Sequence, residues 1–288
     1  MFVAGQNRKG APTVAFVGFD SAWTDNPRAP GAVCAASLGQ GERFRFEAPT
    51  LVCFGQAADF IESVKNDHCV TIVAIDQPTI VPNCTGMRRV DRVAGSIVGW
   101  IGGGVQPANR SRVRMFDNDA PIWRFLSRLD CIQDPECAQT AQSGLFLIEV
   151  FPALALPSID SAFFGRLKGP RYNPNRRKTF RIDDWCRVVD AVAAEACRFG
   201  CNELAEWCGA RAIDQLRKPD QDLLDSTICL LVAIRWRLGP RQSSAMIGDL
   251  SNGYMVTPVS EAVRARLTAA ARQRGVQIDG DIPTEKPA

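Results

Sequence analysis

The chain has one histidine among its 288 residues, His68, and this scarcity removes most chemistry built on imidazole. It lies in Asn66-Asp67-His68-Cys69, a turn signal with no catalytic partner beside it. Histidine acid-base relays and His-rich zinc centres therefore have no ligand set to draw on. Long apolar runs are also missing: none reaches the about 18 residues of a membrane span, and Met1 to Gly10 is polar. The expectation is a soluble, cytoplasmic protein. Strong net charge is absent, since 34 Lys and Arg stand against 31 Asp and Glu for +3, so affinity for a polyanion would have to come from local patches. Cysteine is not scarce, at eleven, but Cys131 with Cys137 and Cys197 with Cys201 match no zinc spacing. Cys34, Cys69, Cys186 and Cys229 sit where core is expected, so reduced thiols are predicted.

What the sequence does have is 46% apolar content, enough for one sizeable core, and two apolar runs that each stop on an aspartate. Val14-Ala15-Phe16-Val17-Gly18-Phe19-Asp20 and Val70-Thr71-Ile72-Val73-Ala74-Ile75-Asp76 lack polar alternation, as strands covered on both faces do. Between them, Gly31 to Leu38 reads as a returning strand, Gly39-Gln40-Gly41-Glu42 as a hairpin turn, and Arg43 to Glu47 as an alternating edge strand. Gln56 to Asn66 has helical spacing at Ala57, Phe60, Ile61 and Val64. A helix crossing over the sheet returns the chain parallel to the first strand. Asp20 and Asp76 would then emerge at one sheet edge, where open α/β sheets bind ligands.

Further along, a helix is expected from Asp119 to Cys131, and Leu145 to Val150 reads as a buried strand carrying Glu149. A buried carboxylate needs a partner, for which the many arginines suffice. Lys168 to Arg181 holds Lys168, Arg171, Arg176, Arg177, Lys178 and Arg181 without an acid, interleaved with Tyr172 and Phe180. That pattern suits a phosphate backbone or a solvated face equally. Two helices, Asp183 to Phe199 and Asn202 to Ala212, precede the acidic stretch Lys218-Pro219-Asp220-Gln221-Asp222-Leu223-Leu224-Asp225-Ser226. This stretch opens a helix apolar almost all round. Asp220 and Asp222 suit a helix start, whereas Asp225 shares a face with Asp222 where the helix enters the core. A hairpin from Ala245 to Pro258, a helix from Ser260 to Gln273 and a loose tail complete the chain. The expected organisation is one domain over residues 11–275, with a helical, basic insertion at about 156–215 and a flexible tail over 276–288.

The order of elements resembles the ribonuclease H-like α/β fold, a mixed five-stranded sheet with a three-stranded antiparallel meander plus parallel strands, flanked by helices. Asp222-Leu223-Leu224-Asp225-Ser226 is similar to the Asp-x-x-Asp-Ala helix of Holliday-junction resolvases, with Ser226 where alanine is usual. More closely, the chain resembles the domain-of-unknown-function 429 family of predicted ribonuclease H-like nucleases. The resemblance rests on Gly18-Phe19-Asp20-Ser21-Ala22-Trp23, Ala74-Ile75-Asp76-Gln77-Pro78, Arg88-Arg89-Val90-Asp91, Glu149-Val150-Phe151-Pro152-Ala153-Leu154 and the Asp222 to Ser226 helix start.

What this resemblance implies is a nuclease acting on DNA or RNA with Mg²⁺ or Mn²⁺ held by Asp20, Asp76, Asp222 and Asp225. Two hard cations about 4 Å apart on oxygen ligands can activate water and stabilise the leaving oxygen of a phosphodiester. Asp20 would bridge the metals, Asp76 and Asp225 would each complete a site, and Asp222 or Glu149 would add a ligand or support one. Arg88, Lys168, Arg177 and Lys178 are expected phosphate contacts, and Trp23 a stacking surface for a base. Two other readings remain at this stage. One is a non-catalytic ribonuclease H-like module that binds nucleic acid or protein. The other, an actin-like ATP-dependent phosphotransferase, is disfavoured because Asp20 is followed by Ser21-Ala22 and not by a glycine-rich phosphate loop.

Overall fold

A computed structural model describes residues 13–39, 43–210 and 215–282. The turn expected at Gln40-Gly41-Glu42, residues 11 and 12 of the expected domain, residues 211–214 of the expected insertion and residues 283–288 of the tail lie outside them.

The chain is α/β, with a five-stranded mixed sheet and, among the described residues, nine α-helices. Strands β1 (Val14–Asp20), β2 (Gly31–Leu38) and β3 (Phe44–Val52) form the antiparallel meander. Helix α1 (Phe54–Asn66) carries the chain to β4 (Val70–Ile75), which pairs parallel with β1. Strand β5 (Gly144–Glu149) then pairs parallel with β4, giving the order β3-β2-β1-β4-β5. Both uniformly apolar strands thus lie inside the sheet, and the alternating one is its edge, as their patterns require.

Period-2 alternation sends Phe16, Ile72 and Phe146 to one face and Val17, Val73 and Leu147 to the other. The second face is covered by α1 and α3 (Pro121–Leu129). The first is covered by α6 (Ile182–Arg198), α7 (Asn202–Gly209) and α8 (Lys218–Leu238), whose Trp185, Leu204 and Leu230 join one core with Phe16 and Ile72. The region read as an insertion contributes α6 and α7 to this core, while α8, which lies beyond it, packs directly on β1 and β2. An apolar sheet face needs such a covering layer.

A smaller core joins α2 (Arg89–Val98), the hairpin β6 (Ser244–Asp249) and β7 (Gly253–Pro258), and α9 (Glu261–Arg274). Ser260 caps α9 by accepting from Val263 N. Two short helices escaped the sequence reading, α4 (Pro135–Thr140) and α5 (Pro152–Ile159). Each starts on a proline, and neither is long enough to show a 3.6-residue period. The expected loose tail is in fact held as far as Asp281. Val276 and Ile278 are buried, Gly248 N donates to Gln277 O at 2.9 Å, and Asp279 pairs with Arg241 and Arg264 at 2.7 Å.

Candidate active site

The site begins with the alternation of β1. Phe16 faces α8, so Gly18 and Asp20 face it too. At Gly18 the helix lies directly on the strand: a Cβ there would stand 2.0 Å from Ser226 O and 2.5 Å from Leu230 N. Only a residue without a side chain permits this approach. Because Ser226 rests on Gly18, the turn before it brings Asp222 and Asp225 over the strand end that carries Asp20. Strand β4 runs parallel with Ile75 opposite Phe19, and Asp76 N donates to Phe19 O at 2.9 Å. Asp76 alternates with Ala74 and Ile72 and leaves on the same face as Asp20. Three elements thus deliver four carboxylates, Asp20, Asp76, Asp222 and Asp225, to the wall of one cavity of about 540 Å³.

The surroundings fix Asp222 and Asp225. Tyr172 donates its hydroxyl to Asp225 Oδ1 at 2.7 Å, and Gln221 Nε2 donates to Oδ2 at 2.9 Å. Lys218 donates to Asp222 Oδ1 from one helical turn away. The loops after the two strands are tied together, since Ser21 Oγ donates to Gln77 Oε1 at 2.5 Å and Trp23 Nε1 to Asp76 O at 3.0 Å.

Crowding so many acids in a low-dielectric site costs ionisation. Burial first, then the charges of Asp225 and Asp76, raises Asp20 well above the usual carboxylate range. Asp76 is raised by burial and by Asp225. Burial pushes Asp225 up to about 6, against the pull of Lys218 and the Tyr172 hydroxyl. Burial and the adjacent Asp225 also hold the Tyr172 phenol neutral, so it remains a donor. Lys218 is opposed by burial, but Asp20, Asp225 and Asp222 together raise its amine and keep it charged.

The remaining expected residues divide. Glu149 lines the cavity but alternates with Leu145 and Leu147, so it leaves β5 on the face opposite Phe146. Its carboxylate is taken up by Arg88, at 2.5 Å and 2.9 Å, and by Thr79 N at 3.0 Å. Arg88 is also paired with Asp91 at 2.7 Å and its side chain has no exposure. An arginine so enclosed cannot meet a phosphate, which corrects its expected role. Burial opposes its charge, and Glu149 and Asp91 more than restore it. The partner that Glu149 needs in sequence terms is this guanidinium.

Lys168, Arg177 and Lys178 are exposed and lie outside the cavity lining, whereas Arg28, Arg176 and Lys218 line it. Trp23 lines it as well, packed edge-on against Phe116 with ring centroids 5.4 Å apart. Sequence reasoning assigned no site role to Arg28, Lys218 or Gln221, and named Tyr172 and Arg176 only within the basic stretch. The i, i+4 spacing of Lys218 with Asp222 and of Gln221 with Asp225 was the available signal. Nothing local marks Tyr172, which lies 53 residues from its partner.

Carboxylate oxygens are the donors that Mg²⁺ and Mn²⁺ prefer, and the mutual repulsion of Asp20, Asp76 and Asp225 is what a divalent ion would relieve. In kind, the donor set fits such an ion. Among the described residues, no three His, Cys, Asp or Glu side chains are already gathered to the spacing of a metal centre. Asp222 is turned to Lys218, and Asp225 to Tyr172 and Gln221.

A family model described as Protein of unknown function (DUF429) matches residues 18–249, from the glycine under α8 to the end of β6. No curated protein and no solved structure matches the chain.

Proposed function

We propose that this chain, which belongs to the DUF429 family, is a divalent-cation-dependent phosphodiester hydrolase acting on nucleic acid. The observation that carries the reading is the convergence of Asp20, Asp76, Asp222 and Asp225, from two parallel strands and one helix, on a single cavity. The resemblance of this placement to ribonuclease H-like nucleases supports the same reading, as a likeness of arrangement. Asp20, Asp76 and Asp225 would hold Mg²⁺ or Mn²⁺, with Asp222 joining them. When bound, such an ion supplies Lewis-acid stabilisation of charge on a phosphoryl oxygen.

The chain's own residues contribute the rest. Tyr172 and Gln221 fix both oxygens of Asp225, so this carboxylate is oriented before a ligand arrives. Arg28, Arg176 and Lys218 place positive charge on the cavity wall, within reach of a phosphate. Trp23, Met115 and Phe151 give the wall an apolar portion that suits a base. No imidazole is needed in this scheme, in keeping with the single distant His68.

A second reading, a nucleic-acid-binding module without catalysis, draws on the pairing of Lys218 with Asp222, which already compensates part of the cluster's charge. One experiment separates the two. Purified wild type and Asp20→Asn are incubated with single-stranded and duplex DNA and RNA in Mg²⁺ or Mn²⁺, and product ends are counted. Cleavage that depends on the cation and falls at least about 10²-fold in the variant supports the hydrolase. Binding of the same substrates without cation-dependent cleavage supports the module.

A further inference from the structure

We infer that Lys218 is the resident counter-ion of the carboxylate cluster, and that a divalent cation enters by displacing its ammonium from Asp222. This rests on the reading of the site as a divalent-cation centre and adds what governs occupancy there.

Three observations set Lys218 apart from an ordinary helix-surface lysine. It is the first residue of α8, next to the Arg217 cap, where the helix dipole disfavours a positive charge. It stands N-terminal to its acidic partner at i, i+4, the weaker order for such a pair. Desolvation at the cavity wall also opposes its charge. What outweighs all three is the field of Asp20, Asp225 and Asp222. The position is therefore explained by the cluster and not by the helix.

The contrast with Arg88 shows why this cation is the displaceable one. Arg88 is fully enclosed and forked between Asp91 and Glu149, a planar group held by its geometry. Lys218 is a point charge on a flexible stem, its side chain 38% exposed, reaching Asp222 from the cavity side. A divalent ion offers the same carboxylates twice the charge. Once released, the ammonium remains on the cavity wall as a free donor, the role proposed there for a phosphate contact.

Mn²⁺ titration calorimetry on wild type and Lys218→Met tests the competition. Removal of a unit charge at ion-pair distance should tighten Mn²⁺ binding at least about tenfold, and binding seen in the variant alone would also support it. Unchanged or weaker affinity in Lys218→Met overturns the inference while leaving the cation centre standing. Absence of binding in both proteins overturns the cation centre itself. Wild type supplies an independent measurement that does not depend on the variant's folding. Acetylation of Lys218 by an amine-reactive ester, followed by mass spectrometry, should rise when saturating Mn²⁺ is added. Reactivity that is flat or falls contradicts displacement.

Discussion

Replacing Gly18 with alanine puts a methyl group where the backbone of α8 already lies. The new Cβ would stand 2.0 Å from Ser226 O, 2.5 Å from Leu230 N and 2.9 Å from Leu230 Cβ, against the 3.4 Å at which van der Waals contact becomes ordinary. Two of the three obstacles are helix backbone, which cannot rotate away, so α8 as a whole has to lift from β1 by more than an ångström. Overpacking of this kind costs about 1–3 kcal/mol. A clash with backbone belongs at the upper end, near 3 kcal/mol, equivalent to a melting temperature lower by roughly 6–12 °C for a chain of this size. The displacement also carries Asp222 and Asp225 away from Asp20, and a misplacement of about 1 Å can lower a catalysed rate by about 10²-fold. Gly39→Ala is the control, because among the described residues a Cβ there meets nothing within 4 Å, and it should change stability by less than about 0.5 kcal/mol. Urea unfolding of both variants, with Mn²⁺ titration of each, reads the two effects together. A Gly18→Ala protein as stable as Gly39→Ala would refute the claim that this contact sets the site.

The acidic cluster makes stability depend on pH in a stated direction. Asp225 titrates near 6 when folded and near 3.9 when unfolded, so the folded state holds more protons between those values and stability falls as pH rises through them. Asp225→Asn should therefore gain on wild type from pH 4 to pH 6 in metal-free urea titrations, and a constant difference would contradict the assignment. Tyr172→Phe removes the donor to Asp225 and should cost about 1.5–3 kcal/mol above pH 6, where the carboxylate is charged, and less at pH 4; equal costs at both would count against it. Arg88→Met leaves Glu149 and Asp91 buried without their cation and should cost about 3–5 kcal/mol by chemical denaturation. A loss below about 1 kcal/mol would show that the network is not the brace described.

The strands were legible because burial on both faces leaves an uninterrupted apolar run, and β1 and β4 have little else in them. Their terminal aspartates could be placed at one edge from the α1 crossover alone. The helix start at Asp222 and Asp225 was legible in composition, but its position over β1 was not, because the approach depends on Gly18, a residue 208 positions away from Ser226. Long-range polar partners were the least readable. Arg88 looks in sequence like any surface arginine at a helix start, and only the packing of β5, α2 and β7 encloses it. Lys218 was hidden for the opposite reason, since beside Asp220 and Asp222 it passes for a solvated charge. Short helices α4 and α5 lack the length for a period to emerge.

The central claim is that the buried aspartates form a centre for a divalent cation. Calorimetric titration of Mn²⁺ into wild type and into a folded Asp20→Asn, Asp76→Asn double variant addresses it most directly. The account predicts saturable binding by wild type that the double variant loses. Equal binding by both proteins, or none by wild type and none by Lys218→Met with their folds intact, would contradict it.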